Sequence, residues 1–198
     1  MPMDREPRFG RIYPGRYPDP LGFGKTPSRF SDPRRRVAAN RFGVLYLGET
    51  VKVCFLEAVL RDRRDGAIGD LPIEEAELHG RHYAEIEIAL PLKLVDLRDD
   101  GAIVMGVPTD VGKAASQTLA RSVAFHEHRE KPDGIIYPSR LNGHTNLAVF
   151  DRAIIKLRVV RTALCRSRHS AVYAARRTMP NGLVFSRIGR DRHMIGAA

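Results

Sequence analysis

Two polar side chains interrupt the most apolar stretch of the chain. Tyr46 sits within Val44–Leu47, a short run with the length of a buried strand, and Glu57 sits within Val51–Leu60. In that second run Val51, Phe55 and Val59 recur every four residues with Leu56 and Leu60 beside them, the pattern of an amphipathic helix. Gly48 separates strand from helix, and Thr50 stands where an N-cap belongs. A polar group in apolar surroundings needs a partner or a purpose. For Glu57 one reading is an ion pair with Arg61, four residues on in the favourable order. The other is a carboxylate held at the wall of a cleft. Tyr46 reads either as a bonded core tyrosine or as an aromatic face for a planar ligand.

Other chemistries find little support. His126 and His128 are two residues apart and do not share a helix face, and His79 and His82 have no second ligand pair, so no metal is expected. No Gly-x-Ser-x-Gly elbow marks a hydrolase. Leu21-Gly-Phe-Gly-Lys-Thr26 resembles a phosphate loop only in part, because Asp19 stands where its first glycine belongs. Cys54 falls among the helix's apolar residues and reads as a small hydrophobe, and with Cys165 as its one companion the two cysteines do not form a disulfide framework. With no signal-like apolar segment and no run of transmembrane length, a reducing cytoplasmic setting is expected.

The net charge of +10 is concentrated at the ends. Residues 1–41 carry ten Lys/Arg against four Asp/Glu, residues 161–198 carry eight against one, and the stretch between is mildly acidic. Basic ends favour anionic partners. A nucleic-acid module is the rival reading. It lacks a helix-turn-helix, zinc-finger or RNA-recognition signature, and aromatic residues make up only 7% of the chain, so direct nucleic-acid binding is not expected.

The elements that must position Tyr46 and Glu57 are mostly strands. Residues 1–41, rich in Pro, Gly and Arg, read as extended and loop-rich. Residues 73–82 read as a short helix. Residues 83–90 alternate with Ala84, Ile86, Ile88 and Leu90 on one face, as in a half-buried strand. Residues 92–97 and 102–107 are short apolar stretches, the first continuing as strand. Residues 111–128 read as a helix in which Leu119, Val123 and His126 share a face with Ser116, and 134–138, 146–150 and 153–160 as strands, the last two joined tightly at Asp151-Arg152. The pattern predicts one α+β domain with a mostly antiparallel, curved or split sheet and one or two packed helices. The expected division is a flexible tail at 1–8, a catalytic domain at 9–160 and a basic extension of that domain at 161–198.

In chain order the short motifs are Arg11-Ile-Tyr-Pro, Arg29-Phe-Ser-Asp-Pro, Gly43-Val-Leu-Tyr-Leu-Gly, Phe55-Leu-Glu-Ala-Val, Gly134-Ile-Ile-Tyr-Pro-Ser-Arg140 and Asn146-Leu-Ala-Val-Phe150. This order resembles the RES domain family, named for its Arg, Glu and Ser. The resemblance implies an ADP-ribosyltransferase-like fold and an NAD-degrading toxin restrained by a Xre-type antitoxin protein in a hetero-oligomer. The implied reaction cleaves the nicotinamide–ribose bond, with inorganic phosphate as co-substrate and no prosthetic group. Water or a protein side chain are the alternative acceptors, the last making the chain a mono-ADP-ribosyltransferase.

On that reading Glu57 stabilises the oxocarbenium-like ribosyl centre, and Tyr46 offers its ring to nicotinamide. Arg11 and Arg29 offer guanidinium forks to pyrophosphate or phosphate. Ser139 fixes the nicotinamide ribose or the phosphate nucleophile. Arg140 and Asn146 complete the expected contacts.

Overall fold

The computed structural model describes residues 8–34, 38–60, 63, 71–165 and 183–186. Its centre is a seven-stranded sheet. The strands are β1 (Arg8–Pro14), β2 (Val44–Gly48), β4 (Arg81–Ile88), β5 (Leu94–Asp96), β6 (Gly134–Pro138), β7 (Thr145–Phe150) and β8 (Leu157–Leu164). Their spatial order is β5-β6-β7-β2-β1-β4-β8. Only β5–β6 is parallel; every other neighbouring pair runs antiparallel. A separate parallel pair joins β3 (Leu71–Glu74) to β9 (Leu183–Ser186). The helices are α1 (Val51–Phe55), α2 (Gly101–Val104) and α3 (Thr118–Arg129).

The proline- and arginine-rich front of the chain supplies β1, an interior strand between β2 and β4. β1 meets β2 at a single register pair, Gly10 opposite Gly48. Beyond it β1 departs, and Gly24 takes its place by exchanging backbone hydrogen bonds with Val44. The seam is thus the point at which the sheet splays. It is built of glycine because α1 crosses directly above it. A Cβ on Gly10 would stand 2.7 Å from the Tyr83 ring and 2.9 Å from Cys54 Sγ, and one on Gly48 2.5 Å from Val53 Cγ1. Gly48→Ala therefore forces α1 outward. We expect a stability loss of about 1–3 kcal/mol, the usual cost of overpacking, read as a lowered urea midpoint.

α1 opens as the sequence indicates: the Thr50 side chain accepts a hydrogen bond from the Val53 N–H at 3.2 Å. The helix then departs from a regular amphipathic rod, because Leu56–Leu60 form a π-helical turn beginning beside Glu57. Such wide turns interrupt α-helices most often at functional sites.

Several other elements differ from their sequence reading. Residues 73–82 divide into the end of β3, a 3₁₀ turn over Glu75–Leu78 and the start of β4. Leu90 lies beyond β4 and is exposed. Residues 102–107 begin in α2. The long helix starts at Thr118 rather than 111, and it buries Ala120, Val123 and Ala124 while Leu119 is exposed. Asp151–Lys156 form a 3₁₀ helix, so β8 begins only at Leu157 and runs through position 160. In each case turns and 3₁₀ segments occupy stretches whose apolar residues mimic a regular period. The predicted tail lies, but for Arg8, outside the described residues, as do positions 166–182 and 187–198 of the basic extension.

The strand alternation sorts residues between two cores. Tyr13, Leu45, Leu47, Ala84, Ile86, Leu147 and Val149 pack on one face. On the other, Val44, Ile135, Tyr137, Ala148 and Phe150 pack with Phe30 and with Ala120, Val123 and Ala124 of α3. That second face also carries α1, whose Cys54 and Phe55 meet Ile12 and Tyr83. The candidate site lies on this face.

Candidate active site

Three strands bring the site residues into line. Asn146 on β7 is the register partner of both Gly48 on β2 and Tyr137 on β6. Cross-strand partners project to the same side, so Asn146 and Tyr137 stand side by side, and the absent side chain at Gly48 leaves room for the helix. Ser139 follows Tyr137 by two residues, and its N–H bonds the His144 carbonyl at 2.6 Å. Glu57 enters from the π turn above. Its Oε1 accepts from Ser139 Oγ at 2.7 Å and from Asn146 Nδ2 at 2.9 Å. Ser139 is 1% exposed and Asn146 3% exposed, so the two anchors are fixed in the interior. Among the described residues no hydrogen bond reaches Oε2, which leaves that oxygen to act on a ligand. Arg61, the alternative partner for Glu57, lies outside the described residues.

Tyr46 is oriented by the turn at Ser28–Ser31. Its hydroxyl accepts from the Phe30 N–H at 2.8 Å and shares a hydrogen bond with Ser28 Oγ at 3.0 Å. Burial is the larger influence on this phenol and raises its pKa, against the hydrogen bonds from Ser28 and Phe30 and the charges of Arg29 and Arg121. With the hydroxyl engaged by the protein, the ring is what Tyr46 can offer. Tyr137 has its pKa raised well above the ordinary value, first by burial, then by the neighbouring Tyr46 and Glu57, with Arg29 opposing. Both phenols are therefore neutral hydrogen-bonding groups at physiological pH.

Arg29 Nη1 donates to the Ala114 carbonyl at 2.7 Å, in the loop between α2 and α3. That loop runs beside the site, since Gly112 lies against Tyr137 and Pro138. Arg121 of α3 is a site neighbour that sequence reasoning missed. Its Nε bonds the Gln117 carbonyl at 3.2 Å, and its charge acts on Tyr46.

Arg11 is not brought to this cluster. It lies opposite Ala84 and over the Tyr13 ring, on the other face of the sheet. Its Nη1 donates to the carbonyls of Pro20 and Gly22 at 2.7 and 2.6 Å. It thereby braces the loop that leads to Gly24, the segment replacing β1 beside β2. Arg140 is exposed on the turn that follows Ser139.

Nor do the histidines converge on a metal: among the described residues no group of three or more His, Cys, Asp or Glu could hold one. His128 instead stacks on Phe42, with ring centroids 4.1 Å apart, and burial lowers its pKa. Cys54 and Cys165 are both buried, and burial pushes each thiol up to about 12, which removes the thiolate needed for nucleophilic work.

A model of the RES domain matches residues 8–176. The chain belongs to the RES domain family. It is also 52% identical over 102 residues to "Probable toxin y4kH" of Sinorhizobium fredii (strain NBRC 101917 / NGR234), covering 50% of this chain and 80% of that protein. Among solved structures it is similar to the crystal structure of the M. tuberculosis MbcT-MbcA toxin-antitoxin complex. That likeness has a TM-score of 0.61 at 15% identity and covers 80% of this chain and 84% of that one. Identity this low speaks to fold alone, here the open, mostly antiparallel sheet with few helices. Of the residue types that name the RES family, Glu57 and Ser139 are in direct contact across 82 positions of sequence. Arg29 lies within electrostatic reach of both phenols beside them.

Proposed function

We propose that this RES protein is the toxin of a toxin–antitoxin pair and that it degrades NAD by breaking the nicotinamide–ribose bond, with inorganic phosphate as acceptor. The observation that carries the reading is the Glu57 carboxylate, held at Oε1 by Ser139 and Asn146, with no hydrogen bond to Oε2 among the described residues. Nicotinamide leaves with the electron pair of the C1′–N bond, which neutralises its ring, so the leaving group needs no proton. Positive charge gathers on the ribosyl carbon instead. An anion fixed before the reaction stabilises that charge without reorganising. A phosphate oxygen then forms the new bond to C1′, giving ADP-ribose-1-phosphate. The half-buried Tyr46 ring is suited to stack on nicotinamide. Arg29 is suited to an anionic oxygen of the pyrophosphate or the incoming phosphate.

The proposed partner draws support from the structural neighbour. The structural neighbour is a toxin bound to its antitoxin, and a toxin acting on a central dinucleotide needs such restraint. The antitoxin we propose here is a Xre-type protein. No helix among the described residues is long and apolar enough to cross a membrane. We propose the cytoplasm as the setting, where NAD is at hand.

The deciding experiment incubates purified protein with NAD, with and without phosphate, and identifies products by mass spectrometry. We expect nicotinamide release that accelerates with phosphate, and ADP-ribose-1-phosphate as co-product. Free ADP-ribose would make water the acceptor, a mass added to protein would indicate ADP-ribosylation of a side chain, and intact NAD would overturn the proposal.

A further inference from the structure

Tyr137 is 6% exposed and lies at the centre of the cluster just described. Its register partner is Asn146, and Ser139 follows two residues later on the same strand end, so both anchors of Glu57 flank it. Its ring is held edge-on by Phe30, with centroids 4.7 Å apart and planes at 68°. Tyrosines this deeply buried ordinarily find a hydrogen-bond partner for the hydroxyl. Among the described residues, none reaches the hydroxyl of Tyr137. The contrast with Tyr46 is direct: there the hydroxyl is engaged by Phe30 and Ser28, and the ring is half-buried.

The two tyrosines thus divide the work, one presenting a ring and the other a hydroxyl. The groups around Tyr137 define what that hydroxyl can meet. Glu57, bonded to both flanking anchors, supplies negative charge on one side. Arg29 supplies positive charge: it precedes Phe30, whose ring packs on Tyr137, and bonds the Ala114 carbonyl in the loop whose Gly112 lies against Tyr137. A neutral donor paired with a guanidinium suits an oxyanion rather than a cation or a carbonyl.

We propose that Tyr137 is a substrate-binding residue whose hydroxyl, together with Arg29, donates to a phosphate oxygen of the ligand. Two sources supply that chemistry: the pyrophosphate of the dinucleotide and the free phosphate acceptor. The inference rests on the NAD-degrading reading of the site, but its test does not require turnover.

Tyr137→Phe keeps the ring and its contact with Phe30, so the fold is retained and the melting temperature stays near that of the parent. Thermal-shift titrations of the full chain with inorganic phosphate and with pyrophosphate then read binding directly. We expect at least one of them to stabilise the parent protein, and Tyr137→Phe to weaken that binding about tenfold, as for loss of one hydrogen bond to a charged group. Steady-state kinetics separate the sources. A raised KM for phosphate alone assigns the acceptor, and a raised KM for NAD alone assigns the pyrophosphate. The proposal is overturned if neither anion binds the parent, or if the variant binds both as the parent does. Anion binding lost in Tyr137→Phe but no nicotinamide release by the parent would sink the NAD reading and leave this inference standing. Nicotinamide release with unchanged anion binding would do the reverse.

Discussion

Glu57→Gln is expected to lower the rate of nicotinamide release on the order of 10²–10³-fold, the range seen when a preorganised electrostatic group is removed from a transition state. Glutamine has the shape of glutamate and retains an amide oxygen. That oxygen can take the place of Oε1 and keep both hydrogen bonds, from Ser139 Oγ and Asn146 Nδ2. What is lost is the charge, together with the acceptor at the second position, where an NH₂ replaces Oε2. The substitution therefore tests electrostatics with little disturbance of packing. Because the positive ribosyl centre exists fully only in the transition state, the loss falls on kcat while KM for NAD changes little. Nicotinamide release followed by chromatography reads the rate, and a melting curve confirms that the variant is folded. A kcat within about threefold of the parent would remove Glu57 from the chemistry.

Why this residue could be picked out of the sequence, and others could not, has a physical basis. Tyr46 and Glu57 were legible because both interrupt apolar runs, and burial makes such interruptions costly. The strand at 44–48 and the Thr50 cap were legible for similarly local reasons. Ser139 and Asn146 acquire meaning only through β6–β7 pairing and a helix arriving from 82 and 89 positions away. Composition and period do not encode such distances, so these two were named through the family's motif order. Arg11 shows the limit of that route. The motif named it as a ligand contact, yet strand alternation places it on the opposite face, where it braces backbone carbonyls. Tyr137 stood inside a quoted motif and was passed over, because a tyrosine in an apolar strand reads as core until its hydroxyl is traced. The π turn over Leu56–Leu60 left no trace in a pattern that fits a regular helix.

Phe30→Ala should produce the largest loss of stability, about 3–5 kcal/mol, as for truncation of a fully buried aromatic side chain. Phe30 is 0% exposed and packs in the core shared by β2, β6, β7 and α3, although it belongs to a turn rather than to a regular element. For a domain of this size the loss corresponds to a fall in melting temperature of roughly 6–20 °C. A fall under about 3 °C would show that the cavity collapses without cost. The same residue joins the two tyrosines of the site, its N–H bonding the Tyr46 hydroxyl and its ring edge bracing Tyr137. Removing the ring frees Tyr137 while the backbone bond to Tyr46 remains possible. Turnover measured well below the melting temperature should therefore fall even where the protein is fully folded. Leu119→Ala on α3 is the matched control: its side chain is exposed, and surface truncations of this kind stay within about 0.5 kcal/mol. If the two variants lose activity in equal measure at matched folded fraction, Phe30 contributes bulk alone. If only Phe30→Ala loses it, this turn residue acts on the site through Tyr137.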